Sequence, residues 1–291
     1  MSTDSTFTNS STGLLTGGIP TTSQDVAPSV IFTVLYALTS ALAVFRVFQY
    51  RGVCVWTFFR LLMFENVRLV TFILRIVAAE NYSDALKGKA TFNTGILIAE
   101  QVLLGVGFVM PTSTLISLVE AHSSRDTVLG PKKKAIFRAM ELSLLAAIAL
   151  GAVAGGMFSS SLTSSSTRND VKIERIVSAV VTLVALVLAM GYCIYLFPKR
   201  GFPLATTLWL GLTTAMLMVV PIYRIVIIGD PPHDGQSTGA KATFWVLQVT
   251  FEWLVGASLL SVNAIEWCGM GMEPLDKMSD GEANGLYAER Y

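Results

Sequence analysis

The sequence predicts an all-α integral membrane protein, a bundle of seven transmembrane helices with its N-terminus outside and its C-terminus in the cytoplasm. Three observations predict it. Hydrophobic residues make up 53% of the 291-residue chain and charged residues only 14%, against about 25% charged in an ordinary soluble domain. The apolar residues gather into runs long enough to cross hydrocarbon. Basic residues collect unevenly at the run ends, which orients the spans. Mean hydropathy is +0.60. The net charge of +1 gives no sign of a nucleic-acid partner. Membrane lipids are the partners this composition implies, and the oligomeric state is left open.

Residues 1–26 are rich in Ser, Thr and Gly and contain no Lys, Arg or Glu. They read as a disordered extracytoplasmic tail. A cleaved signal peptide needs a basic region before its apolar core, so the first span is expected to act as its own signal anchor. The transmembrane domain, 27–267, holds apolar segments at about 27–48, 54–79, 93–120, 135–158, 172–197, 202–229 and 242–267. Each is roughly 20 residues or more, enough for about 30 Å of hydrocarbon. The connections are polar or turn-forming, as in the Ser/Thr run at 159–171 and in Pro231, Pro232 and Gly235. No alternating pattern of the membrane β-barrel kind is present. Residues 268–291 read as a cytoplasmic tail.

Orientation follows from Lys and Arg. One side carries Arg46, Arg51, Arg125, Lys132, Lys133, Lys134, Arg138, Lys199 and Arg200. The other carries Lys87, Lys89, Arg168, Lys172, Arg175 and Lys241. The richer side is the cytoplasmic one. Asn9-Ser10-Ser11 and Asn81-Tyr82-Ser83 are glycosylation sequons on the outer side. Asn81 sits too close to a span end, so Asn9 is the candidate acceptor. Cys54, Cys193 and Cys268 fall near cytoplasmic ends, where packing or palmitoylation would account for them.

An ionisable residue at the centre of a span costs about 2.5–3.5 kcal/mol to insert. The second segment nevertheless carries Arg60, Glu65, Asn66, Arg68 and Arg75. At 100° per residue its charges fall within roughly 140° of arc, one face that should turn inward. Glu65 and Arg68, three apart, are expected to pair. The third segment adds Glu100 and Gln101, the sixth Arg224, and the seventh Gln248 and Glu252, at comparable depths. Glu65, Arg68, Arg75, Glu100, Gln101, Arg224, Gln248 and Glu252 are therefore the candidate ligand-binding residues. One reading is a polar pocket that accepts a headgroup or an anionic amphiphile. The other is a set of internal salt bridges locking the helices together. Both stand on the sequence alone. Pro221 marks a kink in the sixth segment. Gly151 and Gly155 form a GxxxG pattern suited to close packing inside the bundle.

The exclusions are informative. No lysine lies within the seventh apolar core to carry a retinal. The third segment ends Val119-Glu120-Ala121-His122, without the acidic-Arg-aromatic triplet of animal receptors. No phosphate-binding glycine loop, Ser/His/Asp set or metal-ligand spacing occurs. The chain reads as a non-enzyme without cofactor or metal.

The topology, together with Tyr223-Arg224-Ile225-Val226 and Phe251-Glu252-Trp253, resembles the fungal RTA-like family of lipid-translocating exporters. The arginine-rich second segment and Glu100-Gln101 resemble related fungal seven-helix domains of unknown function. The family's Glu shortly after the sixth-helix Arg and its later Asp in the seventh helix are absent here. The resemblance implies a plasma-membrane or endomembrane protein that handles lipids or confers resistance to toxic amphiphiles, with an amphiphilic small molecule as ligand. The alternative expectation is a receptor-like signalling protein.

Overall fold

The computed structural model describes residues 15–50, 55–124, 130–161, 164–199, 202–232 and 234–268, and every element among them is helical. The long helices are α1 (Val26–Gln49), α2 (Val55–Leu86), α3 (Thr94–Gly107), α4 (Val109–Ser123), α5 (Gly130–Gly156), α7 (Ser165–Leu196) and α8 (Leu204–Gly229). Between α5 and α7 lies the short α6 (Phe158–Ser161). The chain ends in α9 (Thr238–Thr243), a π-helical stretch (Phe244–Thr250), α10 (Phe251–Ser261) and α11 (Ala264–Cys268). Six helical runs are long and apolar enough to cross a membrane, namely α1, α3–α4, most of α5, α7, α8 and the run from α9 through α10. At 32 residues α2 is longer than most, yet its buried charges keep it outside that set.

Polarity is arranged inside out. Leu38, Phe45, Trp56, Leu142, Ile194 and Leu212 face outward, while charged side chains are buried among the helices. Water would reject that distribution, and hydrocarbon requires it. These features mark a membrane protein. The bundle closes on itself. α1 packs on α2, α2 on α3 and α4, α5 on α7, α7 on α8, and α10 on both α8 and α1. The α3–α4 run is the most enclosed of the six.

Two helices outrun their apolar segments. α2 continues to Leu86 rather than 79, and α7 starts at Ser165 rather than 172. An apolar run registers the width of hydrocarbon, whereas a helix can extend beyond it. Ser164 caps α7 by accepting from the Thr167 N–H, and Asn93 caps α3 by accepting from Gly95. The expected single span at 93–120 breaks at Phe108, between Gly107 and Pro111. Proline has no N–H to give the carbonyl four residues back, which ends the ladder there. At Pro221, by contrast, α8 runs on as one helix. The GxxxG glycines pack α5 within the bundle. A side chain at Gly155 would strike Val102 of α3, and Gly151 faces Val106.

The expectation of a disordered tail over 1–26 is corrected for its second part. Residues 15–20 are buried in one end of the bundle, where Leu15 and Ile19 join Leu97, Phe158 and Val171 in a small core. Two apolar side chains around Gly17-Gly18 give this stretch something to bury, which the Ser/Thr-rich composition concealed. Asn9, Cys54 and the tail from 269 onward lie outside the described residues. Cys193 is buried, which leaves no exposed thiol for palmitoylation there.

Candidate functional site

The buried charges form a column through the end of the bundle that holds residues 15–25. At its deepest level Glu65 of α2 accepts a hydrogen bond from the Thr39 hydroxyl of α1. Its other carboxylate oxygen has no partner and lies against Gly256, where an added Cβ would sit 2.6 Å away. The expected Glu65–Arg68 pair is not the one formed. Arg68 Nη2 instead lies 2.6 Å from Glu252 Oε2 of α10, with both side chains buried. Glu252 can bond end-on to the guanidinium, while Glu65 is already engaged with Thr39.

The break in the third span explains why arginines gather at this level. The last carbonyls of a helix lack intrahelical partners and carry its negative end. Arg68 donates to Leu103 O at 3.2 Å and to Leu104 O at 3.4 Å. Arg224 of α8 donates from Nη1 to the same Leu104 O at 2.8 Å. Gly107 leaves room for this, since a Cβ there would fall 2.8 Å from Arg68 Cζ. Two guanidiniums from different helices thus cap α3. Gln248 adjoins Glu252, though its amide atoms lack a hydrogen bond of good geometry. It sits in the π-helical stretch, where Thr250 Oγ1 donates to Trp245 O five residues back. Such wide turns recur at functional sites.

The uppermost level joins four parts of the chain. Arg75 of α2 bonds Glu100 Oε1 of α3 at 2.5 Å, Asp25 Oδ1 at 2.7 Å and the Gly17 carbonyl at 2.8 Å. Its guanidinium lies over the Phe244 ring, 4.6 Å from the centroid. Lys241 of α9 pairs with the second oxygen of Asp25 and donates to Ile19 O. Asp25 offers α1 no side-chain cap because its carboxylate is spent on these cations and on Thr21. Burial alone would raise the Asp25 pKa, but Arg75 and Lys241 outweigh it and hold the carboxyl below its ordinary value of 3.8. Gln101 completes the level by pairing with both backbone groups of Thr16, accepting at 2.9 Å and donating at 3.1 Å.

Residues 15–25 are thus a plug, held mainly through backbone. Gly17 sits at φ +78°, and a Cβ there would meet Phe244 at 2.8 Å and Arg75 at 3.0 Å. Only glycine serves at that position.

Of the sequence-read candidates, Arg68, Arg75, Glu100, Gln101, Arg224, Gln248 and Glu252 line one continuous interior, and Glu65 lies at its base. Arg60 stands apart. It is about one-third exposed and pairs with Glu141 of α5 at 3.2 Å, beside Ser117. Three participants were missed. Asp25 lay in the presumed tail, and Lys241 and Arg175 were read as topology markers. Arg175 of α7 donates to Thr16 Oγ1 at 2.6 Å. A signal for Asp25 existed, since the only acidic residues before Glu65 are Asp4 and Asp25.

Next to the column, α3, α5, α7 and Arg224 border a small cavity of about 20 Å³, room for a water molecule or two. Its lining includes Gln101, Gly105, Gly151, Gly155, Arg175 and Arg224. No group of residues suited to holding a metal ion occurs among those described.

Comparison with known protein families, with curated proteins and with solved structures finds no match.

Proposed function

We propose that this chain is a seven-span membrane protein, N-terminus outside, that binds and moves a lipid or another amphiphile through its polar interior. The seventh span in this reading is α2, whose charges need no lipid contact because they are paired inside. The basic residues at the end opposite the plug make that end cytoplasmic. The observation that carries the reading is the convergence of buried charges from α2, α3, α8 and α10 on one interior. A structural lock would pair every group. Here Arg224 has no salt bridge among the described residues, and its Nε has no hydrogen-bond partner. An unpaired buried cation is costly, and an anionic guest would relieve that cost. The local likeness to the RTA-like exporters agrees with this reading and belongs to the proposal.

The test is lipid movement in proteoliposomes, followed by quenching of a fluorescent headgroup from outside. Wild-type vesicles should expose inner-leaflet lipid faster than empty ones. Arg224→Ala should lose that activity while inserting and eluting normally. Wild-type vesicles no faster than empty ones would sink the reading.

One observation favours a second reading, a receptor-like signalling protein. The plug occupies the mouth of the bundle as a tethered ligand would. Deleting residues 1–19 separates the two. Signalling by a tethered ligand would be lost, whereas lipid movement through an unplugged mouth would quicken.

A further inference from the structure

We propose that Glu65 is a proton-binding site deep in the bundle, and that it keeps its proton for as long as Glu252 holds Arg68. The inference goes beyond the amphiphile reading and does not rest on it. Three observations carry it. Glu65 is fully buried and makes no salt bridge among the described residues. It lies about 15 Å along α2 from Val55, half the roughly 30 Å thickness of bilayer hydrocarbon. Its two oxygens share one hydrogen-bond partner. Oε1 has none and lies against Gly256, while Oε2 meets the Thr39 hydroxyl. That hydroxyl also has another acceptor, since Thr39 Oγ1 lies 3.1 Å from Leu35 O on its own helix.

Counting protons decides between the two forms. A hydroxyl has one proton to give. With Glu65 ionised, Thr39 gives it to Oε2, Leu35 O goes without, and a buried charge rests on a single hydrogen bond. A carboxylate in that position takes up a proton instead. In the acid form the bond reverses. Oε2–H donates to Thr39 Oγ1, and Thr39 donates onward to Leu35 O, so every proton has an acceptor. Oε1 is then a neutral carbonyl oxygen, which the contact with Gly256 tolerates. The step is a plain protonation, in which one O–H bond forms and the hydronium that brought the proton leaves as water. Arg68 makes the site a switch. It is three residues from Glu65 on one helix face and within its reach, yet it bonds Glu252. Its Nε has no partner, and neither has Glu252 Oε1. A proton on Glu65 leaves Arg68 to Glu252, and its loss sets two carboxylates against one guanidinium. From α1 the ionisable group facing Glu65 is the phenol of Tyr36, buried and without a hydrogen bond.

The test is infrared absorption of the purified full chain in lipid, where the C=O stretch of a protonated carboxyl stands apart from the bands of a carboxylate. The wild-type spectrum less that of Glu65→Gln should contain an acid band at neutral pH, and the band should fade as the medium turns alkaline. Thr39→Val should shift it to higher frequency, because the acid loses its acceptor. Glu252→Gln should abolish it at neutral pH, because Arg68 then turns to Glu65 and expels the proton. Should Glu252→Gln fail to fold, Thr39→Val carries the test. No acid band in the difference spectrum would overturn the site, as would a band that Thr39→Val leaves in place. A band unchanged in folded Glu252→Gln would overturn the part given to Arg68. The band alongside inert proteoliposomes would sink the transport reading and leave the proton site standing.

Discussion

Arg68 is held from three directions. It is fully buried, bonds a carboxylate of α10 and two carbonyls of α3, and rests on Gly107. Removing one member of a buried pair strands the other charge, at a cost of about 3–5 kcal/mol. Glu252→Ala and Arg68→Ala should each lower the melting temperature sharply. Glu65→Gln should do little, because its amide oxygen still accepts from Thr39. A double-mutant cycle over positions 68 and 252 should show strong coupling, and one over 65 and 68 should show little. Equal coupling in both cycles would reject the pairing. The sequence made the inward face of α2 legible for Glu65, Arg68 and Arg75, because charges deep in a hydrophobic span have only one tolerable direction, whereas Arg60 stays about one-third exposed beside Glu141. It did not make the partners legible. Proximity along one helix favoured Glu65, whereas the true partner depends on where α10 packs. A single sequence carries no record of that distance.

At the scale of elements, the plug and the helix break are the two features that apolar runs could not announce. A hydropathy reading sees Gly107 and Pro111 as interruptions too small to divide a span. It sees residues 15–20 as too short to count. Both matter because they supply backbone groups to the buried arginines. The Leu103 and Leu104 carbonyls lie in the last turn before the break, and the Gly17 carbonyl comes from the plug. The plug should respond to acid in a defined direction. The folded-state pKa of Asp25 lies below its ordinary value, so the stability it adds is fully present above about pH 4. It is lost as pH falls through the lower folded value. The groups facing it are Arg75 and Lys241, with Glu100 on the far side of Arg75. Leu15→Cys in a cysteine-free background should resist an impermeant pyridyl disulfide from neutral pH to about 4 and react below it. Asp25→Asn should react at every pH. Release of the plug near pH 6 in the Asp25 protein would move the control to another group.

For the whole molecule, the solvent decides what each side chain is for. In water the outward Leu38, Phe45 and Leu212 would drive aggregation. In hydrocarbon they are the solvated surface, and the buried charges become the distinctive chemistry. That inversion also bears on α2. Its Arg68 and Arg75 meet carboxylates inside the bundle, so the helix can cross the bilayer despite its composition. If α2 crosses, the chain has an odd number of spans and its ends lie on opposite sides. If α2 stays at the surface, the number is even and the ends share a side. Single cysteines distinguish these cases. Ser83, in the last turn of α2, should react with an impermeant thiol reagent on intact cells. Gln49, at the end of α1, should react only once the membrane is opened. Gln49 and Ser83 labelled from the same side would show that α2 does not cross. The column of charge would then need a different origin, because its two central arginines could not reach mid-membrane depth from a helix lying on the surface.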